Sequence, residues 1–255
     1  MQQLAVLEGA EEFSLGQGPT GCLLIHGFTG SPQSLRPVGD YLAARDIGCF
    51  ALRLPGHGTT WEDLNSRSSE EWAGAADAAL TKMKAEHDEV FIVSLSFGSA
   101  VALHLAANRP DDVAGIVGLA SFVLTNDPRR FLSPIIKLVA KSLPGVGNDI
   151  CDPNAKELCY DRLPTSAAWS MLKFCKDVRA EMPQVRCPVL LIHSRNDHTA
   201  HPDSSRFIHD HISSTDKELI WLDRSYHVIT LDYEKDTVFE KTYEFISKRS
   251  RSGRD

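Results

Sequence analysis

The chain alternates between short, nearly unbroken apolar runs and longer stretches in which apolar positions recur every three or four residues. Cys22 to Ile25, Cys49 to Leu54, Val90 to Val93, Val113 to Leu119, Val189 to Ile192 and Leu219 to Leu222 are the runs. A strand with one face in water alternates apolar and polar residues, and these do not. They predict strands of a parallel sheet covered by helices on both faces. A weaker pattern at Phe13 to Leu15 predicts an edge strand. Between the runs lie helical stripes, one of Leu35, Val38, Tyr41 and Leu42, another of Trp72, Ala75, Ala76, Ala79, Leu80 and Met83. Pro37 must fall in the first turn of the former helix, because an interior proline would break it. After Ser99 the chain is apolar nearly all round, through Val101, Leu103, Leu105 and several alanines, which predicts a central helix. Alternating strands and helices imply right-handed βαβ units, and so an α/β fold with a mostly parallel, doubly wound sheet.

The alternation fails between Ser121 and about Pro164. Ser133-Pro134 reads as an N-cap followed by proline at the first helical position, with Ile135, Ile136, Val139 and Leu143 on one face and Lys137 and Lys141 elsewhere. Asp152-Pro153 repeats the start signal and predicts a second short helix. A further helix, carrying Ala168, Met171, Leu172, Cys175 and Val178 on one face, leads back. Residues 121–164 are therefore expected to form a small helical cap inserted into a core made of 1–120 and 165–255. The stretch Ser247 to Arg254 reads as a frayed tail.

Length and composition narrow the function classes. At 255 residues with 42% hydrophobic content the chain suits one large domain, or one domain with an insertion. A net charge of -7 argues against a general nucleic-acid binder, which needs clustered Lys and Arg. No signal-peptide pattern opens the chain, and no run approaches the roughly 20 apolar residues of a spanning helix. The expectation is a cytoplasmic protein without stable membrane insertion. The six cysteines are scattered, with no CxxC pair, and read as free thiols of a reducing compartment rather than disulfides or a zinc site.

Three residues stand out for chemistry, each just past an apolar run. Ser96 lies in Ser94-Leu95-Ser96-Phe97-Gly98, between a predicted strand and the central helix. A serine hydroxyl becomes a useful nucleophile only when a base takes its proton and a third group orients that base. A tight strand-to-helix turn lifts the hydroxyl clear of the backbone and requires small residues two before and two after it. Ser94 and Gly98 occupy those positions, with Ser94 departing from the usual glycine of G-x-S-x-G. Asp197 lies on the loop after Val189 to Ile192, and His227 on the loop after Leu219 to Leu222, at strand ends where sites of open α/β sheets collect. Asp203 competes with Asp197 for the acid role, but its Pro202-Asp203-Ser204 setting reads as a helix start. His26-Gly27-Phe28-Thr29-Gly30 supplies a glycine-rich turn, which makes the backbone N–H groups of Phe28 and Phe97 the natural donors to an oxyanion. His193, His198, His201, His209 and His211 read as solvated loop histidines, without the spacing of a metal site. His57 reads as a brace for its own loop.

Taken together, these residues resemble the α/β-hydrolase superfamily, and more closely its bacterial carboxylesterases and monoacylglycerol lipases. The resemblance rests on Leu24 to Pro32, on Leu54-Pro55-Gly56-His57-Gly58, on the turn at Ser96, on Asn196-Asp197, and on His227-Val228-Ile229-Thr230-Leu231-Asp232, and it covers about Cys22 to Ile246. It implies an α/β-hydrolase fold and a serine ester hydrolase that needs no cofactor. Its substrates would be small to medium acyl esters, monoacylglycerols among them. Ser96 would be nucleophile, His227 base and Asp197 the orienting acid. Phe122, Phe131, Ile135, Ile136 and Val139 are candidates for the acyl-chain wall. The same triad serves thioesterases, amidases and perhydrolases, and a non-catalytic ligand-binding member is a more distant alternative. Oligomeric state and the physiological ester are left open.

Overall fold

The computed structural model describes residues 4–125, 127–128, 132–145 and 147–251. Its centre is a seven-stranded sheet. In chain order the strands are β1 (Phe13–Leu15), β2 (Thr20–Ile25), β3 (Gly48–Leu52), β4 (Glu89–Leu95), β5 (Gly115–Leu119), β8 (Val189–Ser194) and β9 (Lys217–Leu222). They lie side by side as β1-β3-β2-β4-β5-β8-β9, with β1 antiparallel to β3 and every other pair parallel. The apolar runs are these strands, and β2 to β5 and β8 are buried along their whole length.

Successive side chains of a buried strand feed opposite layers. Leu23 and Ile25 of β2 pack with helices α3 (Ser69–Glu86), α4 (Gly98–Asn108) and α6 (Thr165–Glu181), whereas Cys22 and Leu24 pack with α1 (Arg36–Ala43) and α8 (Lys235–Arg249). Helix α4 is buried almost throughout, as its uniformly apolar surface requires. Helix α3 opens with a reciprocal capping box, in which the Ser68 hydroxyl accepts from the Glu71 N–H and the Glu71 carboxylate from the Ser68 N–H. Pairing keeps the strand ends level: Ile25 stands beside Leu52 and Ser94, Leu95 beside Leu119, and Ser194 beside Leu222. The loops that follow β2, β4, β8 and β9 therefore leave the sheet along one edge. No helix among the described residues is long and apolar enough to cross a membrane.

Between β5 and α6 the chain leaves the sheet. Helix α5 (Ser133–Val139) opens one residue earlier than its start signal suggested, with Leu132 at the cap position and Pro134 in the first turn. Leu143 is not on that helix, which ends at Val139. It lies in β6 (Ser142–Pro144), paired antiparallel with β7 (Arg162–Pro164), an element that helical periodicity did not anticipate. The second helix expected at Asp152-Pro153 does not form. Asp152 Oδ1 accepts from the Asn154 N–H at 2.9 Å, which closes a local turn. Beyond it the amides find partners elsewhere: Glu157 N–H bonds Asn148 Oδ1, Leu158 N–H bonds Gln33 Oε1 and Tyr160 N–H bonds the Thr29 carbonyl. The C-terminal stretch also differs from expectation, since Ser247 to Arg249 complete α8 and Arg249 forms an ion pair with Asp216. Residues 252–254 of that stretch lie outside the described residues.

Candidate active site

Ser96 sits between β4 and α4 with φ at 54°, in the left-handed region that costs a non-glycine residue roughly 1–3 kcal/mol. Hydrogen bonds hold it there. Its N–H donates to the Leu119 carbonyl at 2.9 Å, and its carbonyl accepts from Ser99 and Phe122 N–H groups at 3.0 and 3.1 Å. The close approach is paid by Gly98, where a Cβ would stand 2.3 Å from the Ile25 carbonyl oxygen. Ser94 is fully buried, and its hydroxyl donates toward the Val117 carbonyl and Ser99 Oγ, both at 3.2 Å. The departure from glycine is thus accommodated by hydrogen bonds to β5 and α4, because a buried hydroxyl is tolerated when it is paired.

The loop after β2 passes directly over this turn. A Cβ on Gly27 would lie 3.1 Å from Ser96 Cβ, so the chain comes within contact distance there, and Phe28 is the next residue. His26 locks the loop. Its Nε2 accepts from the Leu54 N–H at 3.1 Å, so Nδ1 carries the proton and donates to the Gly27 carbonyl at 2.8 Å. Burial pushes the His26 imidazolium down to about 4, which keeps the ring neutral. Phe28 packs edge-on against His57, Trp72 and Phe97. His57 is fully buried, with Nδ1 against the Pro55 carbonyl, in the bracing place read for it. Phe97 immediately precedes α4, where backbone N–H groups have no partner within the helix.

Asp197 and His227 arrive on the loops after β8 and β9 and meet there, His227 Nδ1 donating to Asp197 Oδ2 at 2.7 Å. Asp197 Oδ1 accepts from the Thr199 and Ala200 N–H groups at 2.8 and 2.7 Å. His193 is a correction to the reading of solvated histidines: it is fully buried on β8 and touches the same carboxylate. Its Nε2 faces the Ala200 carbonyl at 2.9 Å and Asp197 Oδ2 at 3.1 Å, and its Nδ1 accepts from the Ser205 hydroxyl at 2.7 Å. Burial opposes charge on Asp197. The His227 charge and the hydrogen bonds of both histidines outweigh it, holding the carboxyl well below the usual carboxylate range. For His227, burial pulls down, but the Asp197 charge and hydrogen bond, with Glu157 and Asp149 behind them, raise the imidazolium above its ordinary value. Asp203 instead opens helix α7 (Asp203–His211), half exposed and paired with Arg206 and His201.

Ser96 and His227 line one cavity of about 250 Å³. Its walls are mostly apolar, with Phe28, Phe122, Ile136, Leu143, Met171 and Leu172 prominent. Of the wall candidates, Phe122 and Ile136 line it. Ile135 and Val139 do not, being 59% and 79% exposed on the outer side of α5. Phe131 lies outside the described residues. Sequence reasoning missed Glu157, a partly buried carboxyl whose Oε1 a Cβ on Gly30 would meet at 2.9 Å, and which burial pushes up. No periodic signal marks a lone acidic residue on an irregular segment. Met171 and Leu172 were visible as a helical stripe, but not as cavity wall. Among the described residues no cluster of three His, Cys, Asp or Glu side chains converges as metal ligands would.

A parallel sheet of this order, with serine, acid and histidine on strand-end loops along one edge, is the α/β-hydrolase architecture. Residues 22–240 match the family described as "Alpha/beta hydrolase family", and the chain belongs to it. It is 34% identical over 249 residues to the thermostable monoacylglycerol lipase of Bacillus sp. (strain H-257), covering 98% of this chain and 99% of that one. It is 28% identical to a carboxylesterase of Bacillus subtilis (strain 168), across 92% of this chain and 96% of the other. Among solved structures, one from work on LipS and LipT, two metagenome-derived lipolytic enzymes, superposes with a TM-score of 0.93 at 34% identity, covering 96% of this chain and all of that one. The chain is accordingly a hydrolase, similar to esterases and lipases.

Proposed function

We propose that the protein hydrolyses carboxylic esters through an acyl-enzyme on Ser96. The observation that carries this reading is the His227–Asp197 hydrogen bond of 2.7 Å, placed with the strained Ser96 on one apolar cavity. Ser96 Oγ attacks the ester carbonyl as His227 takes its proton, and Asp197 orients the imidazole and stabilises its charged form. The backbone N–H groups of Phe28 and Phe97 receive the oxyanion, each donor worth roughly 10²–10³ in rate. The alcohol leaves with the proton held by His227, and water then releases the acid by the reverse sequence.

Residues 121–164 act as a cap in this reading, with Phe122, Ile136 and Leu143 against the acyl chain. Glu157 offers an acceptor to hydroxyl groups of a polar alcohol. That fits small to medium acyl esters, including monoacylglycerols, the substrate in the name of the Bacillus sp. relative. The cytoplasmic location remains part of the proposal and rests on the scattered free thiols. The test is hydrolysis of p-nitrophenyl esters from acetate to palmitate, alongside matched thioester and amide substrates, by wild type and Ser96→Ala. The reading expects ester hydrolysis peaking at one chain length and lost in the variant. Equal activity in Ser96→Ala, or thioester turnover far above ester turnover, would overturn it.

A further inference from the structure

The acid and the base are carried by separate strands, and their side chains meet well beyond the end of the ladder. The roots of the two loops are tied by Ser194 Oγ to the Ser225 carbonyl, and by Asn196 Nδ2 to the Asp223 carbonyl at 2.7 Å. The tips are tied by a residue of neither loop. The Asp149 carbonyl accepts from the His227 and Val228 N–H groups at 3.0 and 3.1 Å. Its carboxylate takes the other loop, accepting from the His198 N–H at 3.0 Å, from Thr199 Oγ1 at 3.2 Å, and lying 2.9 Å from His198 Nδ1.

The segment holding Asp149 is itself anchored. The fully buried Asp232 carboxylate accepts from the Cys151 and Asp152 N–H groups and from those of Tyr226 and Tyr233. Residues 149–152 are thereby fixed to the base-bearing loop without help from the Asp149 side chain. That side chain, only 11% exposed, has the acid-bearing loop as its hydrogen-bond partner, one and two residues beyond Asp197.

We propose that Asp149 is a positioning residue, whose carbonyl and carboxylate hold the base-bearing and acid-bearing loops at the separation that lets His227 meet Asp197. The inference rests on the Ser96–His227–Asp197 reading. A misplacement of about 1 Å at such a contact costs on the order of 10²-fold in rate. Asp149 also acts on His227 as a charge, together with Asp197 from the β8 loop and Glu157 from the returning segment. Removing its charge therefore lowers the His227 pKa.

The test compares wild type, Asp149→Asn and Asp149→Ala on p-nitrophenyl butyrate across pH, with each preparation normalised by titration with a fluorophosphonate. Asp149→Ala should lower kcat per titrated site by roughly tenfold or more while KM moves less than about twofold, the signature of a lost transition-state arrangement. Asp149→Asn keeps an acceptor for the His198 N–H, so it should recover part of that kcat. In both variants the acid limb should move to lower pH. If the alanine variant does not fold, the asparagine variant decides alone, through its kcat and its limb. A kcat per site within about twofold of wild type, with the limb unmoved, overturns the inference. Ser96→Ala in the same assay separates the two ideas. Activity that survives it sinks the triad and this inference together. Activity lost there but untouched in the Asp149 variants sinks the inference alone.

Discussion

The carboxyl edge of the sheet and the segment 121–164 build the same cavity in opposite ways. At the sheet edge, Ser96 and Asp197 follow the buried strands β4 and β8. His227 follows the partly exposed edge strand β9, where the apolar run at Leu219 to Leu222 had pointed to cover on both faces. All three residues are about 8% exposed or less. Their surroundings are over-determined: Asp197 accepts four hydrogen bonds or close contacts from polar N–H groups, and Ser96 is pinned on both sides of a strained φ. In the segment 121–164, helix α5 buries no residue, and Leu132, Ile135, Leu138 and Val139 stand more than half exposed. Its return stretch is held by side-chain bonds to the core rather than by its own helix. The rigid edge supplies groups that must be placed to fractions of an ångström, and the looser segment supplies a wall that needs only shape and polarity.

Several substitutions test that contrast. Asp197→Asn, on the rigid edge, should lower kcat by about 10⁴-fold with little change in KM, because the imidazole loses the acceptor that sets its tautomer; steady-state kinetics on p-nitrophenyl butyrate reads this. Gly98→Ala forces a methyl against the Ile25 carbonyl. It should cost about 1–3 kcal/mol in a denaturant melt and carry activity down with it, whereas a fully stable, active variant would show that α4 can shift. In the looser segment, Ile136→Ser should weaken turnover of long-chain esters by about tenfold relative to acetate, and Ile135→Ser should leave that ratio unchanged. Equal effects of the two would erase the distinction between cavity wall and outer face.

The pH profile probes the edge as a charge cluster. In the proposed mechanism His227 must be neutral to take the serine proton, and its pKa is raised, so activity is expected to appear only as pH rises through that higher value. The acid midpoint of kcat/KM should therefore lie above 6.5, the ordinary histidine value. A midpoint below it would mean that burial outweighs Asp197, Glu157 and Asp149. The smallest effect belongs to Ser94→Gly. It restores the usual motif but deletes the bonds to Val117 and Ser99, so a loss of about 0.5–1.5 kcal/mol in melting is expected with kcat nearly unchanged.

The same contrast explains what was readable in the sequence. Strands buried on both faces must be continuously apolar, so β2 to β5 and β8 announce themselves. The turn at Ser96 needs small neighbours and shows them at Ser94 and Gly98. Strand-end loops then point to Asp197 and His227. The segment 121–164 obeys no such periodic constraint. Asp152-Pro153 carries a helix start signal, yet Asn154 closes a turn on Asp152 and the following amides bond Asn148, Gln33 and Thr29. Ile135 and Ile136 are neighbours of equal hydropathy, and only the orientation of α5 sends one to solvent and the other to the cavity. Glu157 and Asp149 draw their roles from loops far away in sequence, His193 from a carboxylate four residues ahead. His193 is a strand residue rather than a loop histidine, and residue type alone does not reveal that burial.

In the proposed mechanism Ser96 is the group that becomes covalently modified. Reaction of the intact protein with a fluorophosphonate, followed by peptide mass spectrometry, tests it most directly. One adduct per chain, on the peptide containing Ser96 and formed far more slowly in His227→Ala, is the predicted result. An adduct on another residue, or equal labelling in Ser96→Ala, would contradict the account.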